Sequence, residues 1–520
     1  MTAGLVHLSL SRHSCSSGVI AEHRTEDCQE LPYPMPFFPL AILIGWIPLG
    51  AYLFRRYPTR VAILLNFLGG WAILPGANYT PTPDDFPYWI LGVCLPSGYF
   101  LTKATAIGLA AIAGILLFRL GETRQFRPGL CDLPIVLWCC VPLLSAATHP
   151  NTFHEGLAGA AYQTIAWGVP WFLGRIWFSD SSSLLLAAKG CVIAGLCYIP
   201  VCLVEIFSGP QLYAFLYGFQ PYRWVGASRY LGYRPIGFLE DGNQLGIWMA
   251  AAALVAVSLA LRRLTGSLLG IPAKWVAVSL AAVTLLCQSA GSIVLLVLLL
   301  PLTLLRRRSI LRACIAFLIF GIVAFALFRM TGVVSLRALA QRSGLLHSIA
   351  DGLNRVGRHS LVWRLARDES QLRIAMHKPL LGYGQWNWWQ TGDTRPWSLW
   401  LLIFGMYGLI GLLAFGAIFF LPIFRTVWSA TGERNPNDTS LRLALAGVIL
   451  IAAFDCLLNS ALILPYLLLM GGLASPRLAE RYSRVLPRKS FSPTATLRGP
   501  GLRDRNRQLE NQLEPSAPPS

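Results

Sequence analysis

The stretch Ser398-Leu-Trp-Leu-Leu-Ile-Phe-Gly-Met-Tyr-Gly-Leu-Ile-Gly-Leu-Leu-Ala-Phe-Gly-Ala-Ile-Phe-Phe-Leu-Pro-Ile-Phe424 runs for 27 residues without a charged side chain. A hydrocarbon core about 30 Å thick is crossed by roughly 20 apolar residues in helical form, so this stretch can span a membrane with residues to spare. Similar runs lie near 38–54, 59–76, 104–119, 132–147, 157–176, 184–206, 243–261, 274–288, 290–305, 310–329, 441–458 and 460–475, making thirteen in all. The composition agrees: of 520 residues 55% are hydrophobic and 13% charged, and the mean hydropathy is +0.54. An ordinary soluble enzyme carries about a quarter charged residues, and a disordered chain is far less apolar. The expected fold is all-α, a polytopic membrane protein with about 12–13 transmembrane helices and a large, partly helical extracytoplasmic loop.

The formal charge of +19, from 43 Lys and Arg against 24 Asp and Glu, has a simple reading in such a chain. Short cytoplasmic loops carry an excess of Lys and Arg, so nucleic acid is not an expected partner; membrane lipids are. Clusters at Arg55, Arg56 and Arg60, at Arg119, Arg124 and Arg127, at Arg262 and Arg263, at Arg306, Arg307, Arg308 and Arg312, and at Arg425, Arg434 and Arg442 recur at every second connection. The segment 477–520 continues that side as a basic, Pro-rich tail without apolar periodicity, expected to be disordered. Residues 1–35 are polar and do not resemble a signal peptide, so the first apolar helix is expected to direct insertion. Eight of the twelve cysteines lie inside apolar runs, with no paired metal spacing, and read as small apolar residues. No metal or cofactor is expected.

Residues 36–207 thus form a first group of spans, 208–330 a central group, 331–397 a large loop and 398–476 a final group. Between Phe86 and Leu101 an apolar stretch interrupted by Pro96, Ser97 and Gly98 suits a re-entrant segment better than a full span. Two connections on the non-cytoplasmic face are long, 208–241 and 330–396, and long connections tend to be functional. The second holds nine basic residues, among them Arg358, Arg364 and Arg373, against four acidic ones. Solvated helix faces account for many of these; the alternative is an anionic substrate, since a guanidinium fork binds phosphate oxygens in pairs and stays charged. The first holds Arg223, Arg229 and Arg234 in an aromatic, glycine-rich setting that ends in Glu240, Asp241 and Asn243. Residues 364–377 read as a helix that Pro379 breaks, with Gly382 and Gly384 allowing a turn.

Arg234-Pro-Ile-Gly-Phe leading through Asn243 into a helix, Ser289-Ala-Gly-Ser between two helices, Arg364, Pro379-Leu-Leu-Gly-Tyr-Gly and Gly408-Leu-Ile-Gly-Leu follow one another in this order. In these pieces the chain resembles the O-antigen ligase and polymerase superfamily, and looks closest to a divergent branch found in planctomycete-type bacteria. The resemblance is strongest over residues 200–425. It implies an enzyme of the bacterial inner membrane that transfers a glycan, without metal or nucleotide sugar and with inversion. The donor is an undecaprenyl-pyrophosphate-linked glycan and the acceptor a sugar hydroxyl, which can itself be lipid-linked. Arg234 and Arg364 match the arginines expected to hold the donor pyrophosphate, with Arg229 and Arg358 as further candidates. Fixed cations suit a leaving diphosphate because its charge grows as the bond breaks.

The family pattern also places a His-Asn pair eleven residues before the first glycine of Gly-Leu-Ile-Gly, where this chain has Trp397 and Ser398. A general base must lie within hydrogen-bond reach of the attacking hydroxyl; the substitutes in sequence are Asp393, Glu240, Asp241 and His377, with His347 and His359 also near. The missing histidine keeps two other functions open, a transporter or flippase of a lipid-linked glycan and a catalytically silent assembly partner. A transporter would be expected to show internal repeats, and none is seen. Lys189, Glu205 and Asp455 are ionisable residues inside apolar runs, a placement that marks function or an interior polar contact. Trp386, Trp388, Trp389, Trp397 and Trp400 read as an interfacial anchor, and Gly405, Gly408 and Gly411 as close helix packing.

Overall fold

The computed structural model describes residues 37–76, 100–148, 153–218, 228–305, 307–331, 360–390, 395–428, 436–460 and 462–475. In chain order the helices are α1 (Phe37–Arg56), α2 (Thr59–Leu64), α3 (Gly70–Ile73), α4 (Lys103–Phe118), α5 (Leu133–Ala146), α6 (Phe153–Gln163), α7 (Val169–Trp177), α8 (Ser181–Ser208) and α9 (Leu212–Tyr217). They continue with α10 (Gly242–Leu261), α11 (Ala273–Leu286), α12 (Ala290–Leu304), α13 (Arg308–Met330), α14 (Ser360–Ala375), α15 (Leu399–Trp428), α16 (Pro436–Asp455) and α17 (Tyr466–Ala474). One π-helical turn, Leu65–Gly69, joins α2 to α3 and a second, Thr164–Gly168, joins α6 to α7, so each pair is one continuous rod. The described strands are two antiparallel hairpins, β1 (Ser228–Arg229) with β2 (Gly232–Tyr233) and β3 (Ser267–Leu268) with β4 (Ile271–Pro272).

A helix occupies each of the thirteen apolar runs, the last of them only over Tyr466–Ala474. Six helices are long and apolar enough to cross a membrane, and five shorter apolar helices accompany them among the described residues. The protein is a helical, membrane-spanning one. Helix α14 fulfils the expectation of a helix in the large loop, starting a few residues earlier than the sequence suggests.

At the centre lies α10, whose residues from Gln244 to Ala256 are all buried. The run Ala250–Ala253 keeps this helix thin, which allows α8, α11, α12 and α16 to close around it; small side chains bring helices together where lipid supplies no hydrophobic drive. The longest described helix, α15, packs against α5, α14, α16 and α17. In contrast, α13 turns Phe317, Phe320 and Leu327 outward, as a lipid-facing helix does.

Helix direction defines two ends of this bundle. One gathers the C-termini of α1, α4, α7 and α17 with the N-termini of α5, α8 and α16; its contacts include Arg60 with Asp180, Arg175 with Asp132 and Ser475, and Ser181 with Asp438. The other gathers the start of α4, the ends of α5, α8 and α16, and the starts of α10, α12 and α15. All the motif pieces with described side chains lie at this second end.

Candidate functional site

Arg234 follows β2 directly and reaches the first turn of α10. Its Nη2 donates to Asn243 Oδ1 at 2.5 Å and to Ser289 Oγ at 3.1 Å, while the Ser292 and Ser289 hydroxyls lie 3.0 Å apart. Two glycines make the approach possible. A Cβ on Gly242 would lie 2.6 Å from Arg234 Nε, and one on Gly246 would lie 2.5 Å from Ser289 Cβ. Asp241 caps α10 by accepting from Gln244 N at 2.7 Å, and its other oxygen accepts from Asn243 Nδ2 at 3.2 Å. Arg234, Asn243 and Ser289 thus form one cluster, and Asp241 acts as helix cap and as the group that orients Asn243.

The turn between Arg234 and α10 is held from both sides by buried charges. Glu205 Oε2 accepts from Ile236 N and Gly237 N, each at 2.7 Å, and its Oε1 accepts from Leu212 N at 3.3 Å. Lys103, the first residue of α4, donates from Nζ to the Phe238 carbonyl at 3.0 Å and lies 3.7 Å from Glu240 Oε1, with Trp71 beneath it at 4.8 Å. Gln244 completes the group: it accepts from Glu240 N at 3.0 Å and donates to the Glu240 carboxylate and to the Leu462 carbonyl. Lys103 and Glu240 are 0% and 2% exposed. Burial pushes the Glu240 carboxyl up to about 8, against the opposing pull of Lys103.

The other motif pair forms a second unit. Gly408 has φ 62° and ψ −160°, a conformation open essentially to glycine, and it interrupts α15. The freed groups are taken by the Pro379–Gly384 segment. Leu409 N donates to Pro379 O at 2.7 Å, Tyr383 N to Gly405 O at 2.9 Å and Gly384 N to Met406 O at 2.8 Å, while Ser145 Oγ reaches Leu381 O at 2.6 Å. Gly382, at φ 68°, presses on the Met406 backbone so closely that a Cβ would lie 2.4 Å from it. Gly408 therefore serves contact with a loop, and the expectation of helix-to-helix packing is corrected there. A Cβ on Gly405 would meet the Trp388 ring at 2.1 Å.

Asp368 on α14 was not singled out by the sequence, yet it lies against Trp397. Its Oδ1 accepts from Trp397 N at 2.7 Å and it is 5% exposed. Burial raises its carboxyl above the ordinary range, outweighing the help of Ser398, the Trp397 N–H and Arg329. Trp386, Trp388, Trp389 and Trp400 are buried in the protein, so the expectation that they anchor at a lipid interface is corrected; Trp388 instead stacks on Tyr383. Asp455 has the interior contact expected of it, from Asn459 Nδ2, at the end of α16.

Other sequence candidates are placed as follows. Arg229 is half-buried on β1 opposite Gly232, and its Nη1 contacts the Ser228 carbonyl. His377 is exposed just beyond α14, with Nδ1 3.2 Å from Ile374 O. Arg364 lies within α14, but its side chain is outside the described residues, as are Arg358, Asp393, His347 and His359 and the stretch from Phe86 to Tyr99. Among the described residues no three His, Cys, Asp or Glu side chains gather as a metal site would require. Lys103 and Gln244 escaped sequence reading because each opens an apolar run, where a polar residue looks like a boundary marker. Comparison with protein-family models and with curated proteins gives no match.

Proposed function

We propose that the chain is a membrane glycosyltransferase of the O-antigen ligase type, moving a glycan from undecaprenyl pyrophosphate to a sugar acceptor on the extracytoplasmic face of the bacterial inner membrane. The observation that carries this reading is the Arg234 cluster: a guanidinium laid across the N-terminus of α10 and bound by the neutral oxygens of Asn243 and Ser289. A fixed guanidinium favours a phosphate anion.

In this reading the acceptor hydroxyl attacks the anomeric carbon of the donor sugar as the bond to the pyrophosphate oxygen breaks. Negative charge collects on the diphosphate, and Arg234 is oriented before it arrives, so the stabilisation is greatest in the transition state. The hydroxyl proton needs a base. Of the sequence candidates with described side chains, Asp241 is engaged as a cap, Glu240 is 2% exposed and held by Gln244 beside Lys103, and His377 is exposed just beyond α14; a base must come within hydrogen-bond reach of the hydroxyl. Arg364 keeps the role that the resemblance gives it, with Arg358 as a further candidate cation and Asp393 as a candidate base.

Purified protein in lipid, supplied with an undecaprenyl-pyrophosphate-linked glycan and a sugar acceptor, tests this directly. Release of undecaprenyl pyrophosphate with glycan transfer is expected, and Arg234→Ala is expected to lower turnover by about a hundredfold or more, the scale of removing one transition-state donor. Movement of the intact lipid-linked glycan across the membrane without transfer would replace this reading with that of a flippase.

A further inference from the structure

Each backbone N–H from Ile236 to Glu240 is hydrogen-bonded. Ile236 and Gly237 donate to Glu205, Phe238 to the Tyr198 hydroxyl at 3.2 Å, Leu239 to Ile236 O at 3.3 Å and Glu240 to Gln244. Such pairing is the rule for buried backbone; what distinguishes this turn is that most of the partners are side chains from other elements. Glu205 comes from α8, Tyr198 from the same helix about two turns earlier, Gln244 from α10, and Lys103 takes the Phe238 carbonyl from α4.

The two charged partners sit where their own helices do not favour them. A helix carries partial positive charge at its N-terminus and partial negative charge at its C-terminus. Lys103 is the first residue of α4, and Glu205 is in the last turn of α8. Both are completely buried, and a buried charge is costly without specific partners. Local helix stability therefore does not explain either residue. What both touch is the backbone of one turn: the carboxylate meets N–H groups and the ammonium meets a carbonyl.

We propose that Glu205 and Lys103 are positioning residues, two buried charges of opposite sign that grip the turn 236–240 by its backbone and so fix Arg234 at the start of α10. Its functional side rests on the reading of Arg234 as the donor-binding arginine. The geometric side concerns the turn alone. Tyr198, whose hydroxyl also donates to Ala72 O at 2.6 Å, ties the same turn to the end of α3.

Hydrogen exchange of the full-length protein in detergent micelles, followed by mass spectrometry, reads the grip directly. Glu205→Gln is expected to speed exchange in the peptide covering 236–240 by about tenfold or more through local opening, with peptides from α7 and α17 unchanged. Lys103→Met is expected to loosen the same peptide, and Lys103→Arg, which keeps a donor and a charge, to restore protection. Unchanged exchange at 236–240, or an equal rise throughout the protein, would overturn the proposal. Should a neutral variant fail to yield monodisperse protein, Glu205→Asp withdraws the carboxylate by one methylene; unchanged exchange there overturns the proposal equally. Undecaprenyl pyrophosphate binding to the same proteins separates the two readings. If wild type does not bind it, the donor assignment falls and the exchange result stands. If wild type binds and Glu205→Gln binds as tightly despite a loosened turn, positioning of Arg234 is wrong; a loss of about tenfold or more, equal to about 1.4 kcal/mol, is expected.

Discussion

The two ends of the bundle differ in how several of their charges stand to their own helices. At the end rich in arginine, a set of charged residues serves its own helices, although Arg60 and Arg308 begin theirs. Asp180 caps α8, Asp132 precedes α5 and Asp438 lies in the first turn of α16, while Arg55 and Arg56 close α1, Arg175 closes α7 and Arg425 closes α15. Every one sits at the pole its helix dipole favours. At the other end Lys103 begins a helix, and Glu205 and Asp455 end one. These three are at the disfavoured pole, and each is directed to a group beyond its own helix body: Lys103 and Glu205 to the Arg234 turn, Asp455 to Asn459. Charge that agrees with the local dipole is explained by local stability. Charge that opposes it has been placed by a demand from elsewhere, and here that demand is the geometry of loops.

The largest effect that would sharpen this contrast is expected at the arginine end, in the most deeply buried of its described ion pairs. Arg175 binds Asp132 through Nε at 2.6 Å and Nη2 at 2.9 Å, reaches Ser475 at 2.9 Å, and has only 1% of its side chain exposed. Arg175→Ala strands the Asp132 carboxylate and is expected to cost about 3–5 kcal/mol, seen as a large fall in the thermal midpoint of the purified protein. A loss confined to one loop, with the midpoint unchanged, would show that this pair holds a loop as the charges of the other end do.

Next in size is Gly408→Ala. It forces a side chain into a φ of 62° and, in the same place, into the Leu380 backbone, with a Cβ 2.3 Å away. Conformational strain alone costs about 1–3 kcal/mol. The expected result is release of the segment 379–384 from α15, read as faster proteolysis or hydrogen exchange there. An unaltered segment would mean that α15 can close its break without the loop.

How much of this was legible beforehand depends on the scale of the pattern. Apolar runs were readable because a membrane imposes a length, and helices occupy all of them. Arg234, Asn243 and Ser289 were readable only as separate pieces along the chain, and that they meet is seen in the fold. Gly408 was visible as a glycine, but a packing glycine and a chain-breaking one look alike until the loop that fills the gap is seen. Asp368 was hidden for a related reason: it is an ordinary polar residue on an amphipathic helix, and only the fold carries the N–H of Trp397 to it. Lys103 stands beside an apolar run much as a boundary lysine does. Its burial comes from Trp71 and from a turn more than a hundred residues away, and periodicity does not encode such partners.

The pH response is expected to separate the ends further. Glu240 is pushed up to about 8 by burial, whereas an unfolded glutamate titrates near 4.3. The folded protein then holds a proton that the unfolded chain gives up, so this contribution is complete below the unfolded value and is lost as pH rises through about 8. Thermal midpoints measured from pH 5 to pH 9 (roughly the span between these values) are expected to fall across that window in wild type and to fall less in Glu240→Gln. Equal slopes in the two proteins would show that Glu240 titrates as an ordinary surface acid.

The smallest effect is expected at the arginine end, where the pair of Arg60 and Asp180 lies near water. The two groups are 2.6 Å apart with side chains 42% and 27% exposed, and such a pair contributes about 0–1 kcal/mol and weakens with salt. Asp180 has a second task, because its Oδ1 accepts from Ser183 N at 2.9 Å at the start of α8. Burial opposes its ionisation, but Ser182, Ser183 and Arg60 together hold its carboxyl below the ordinary range. Arg60→Ala is therefore expected to shift the thermal midpoint hardly at all, and Asp180→Ala to cost about 0.5–2 kcal/mol through the lost cap. High salt should erase the first effect and leave the second. If the two substitutions proved equal and both vanished in salt, the ion pair rather than the cap would be what matters at Asp180, and Asp180 would no longer count among the charges that serve their own helices.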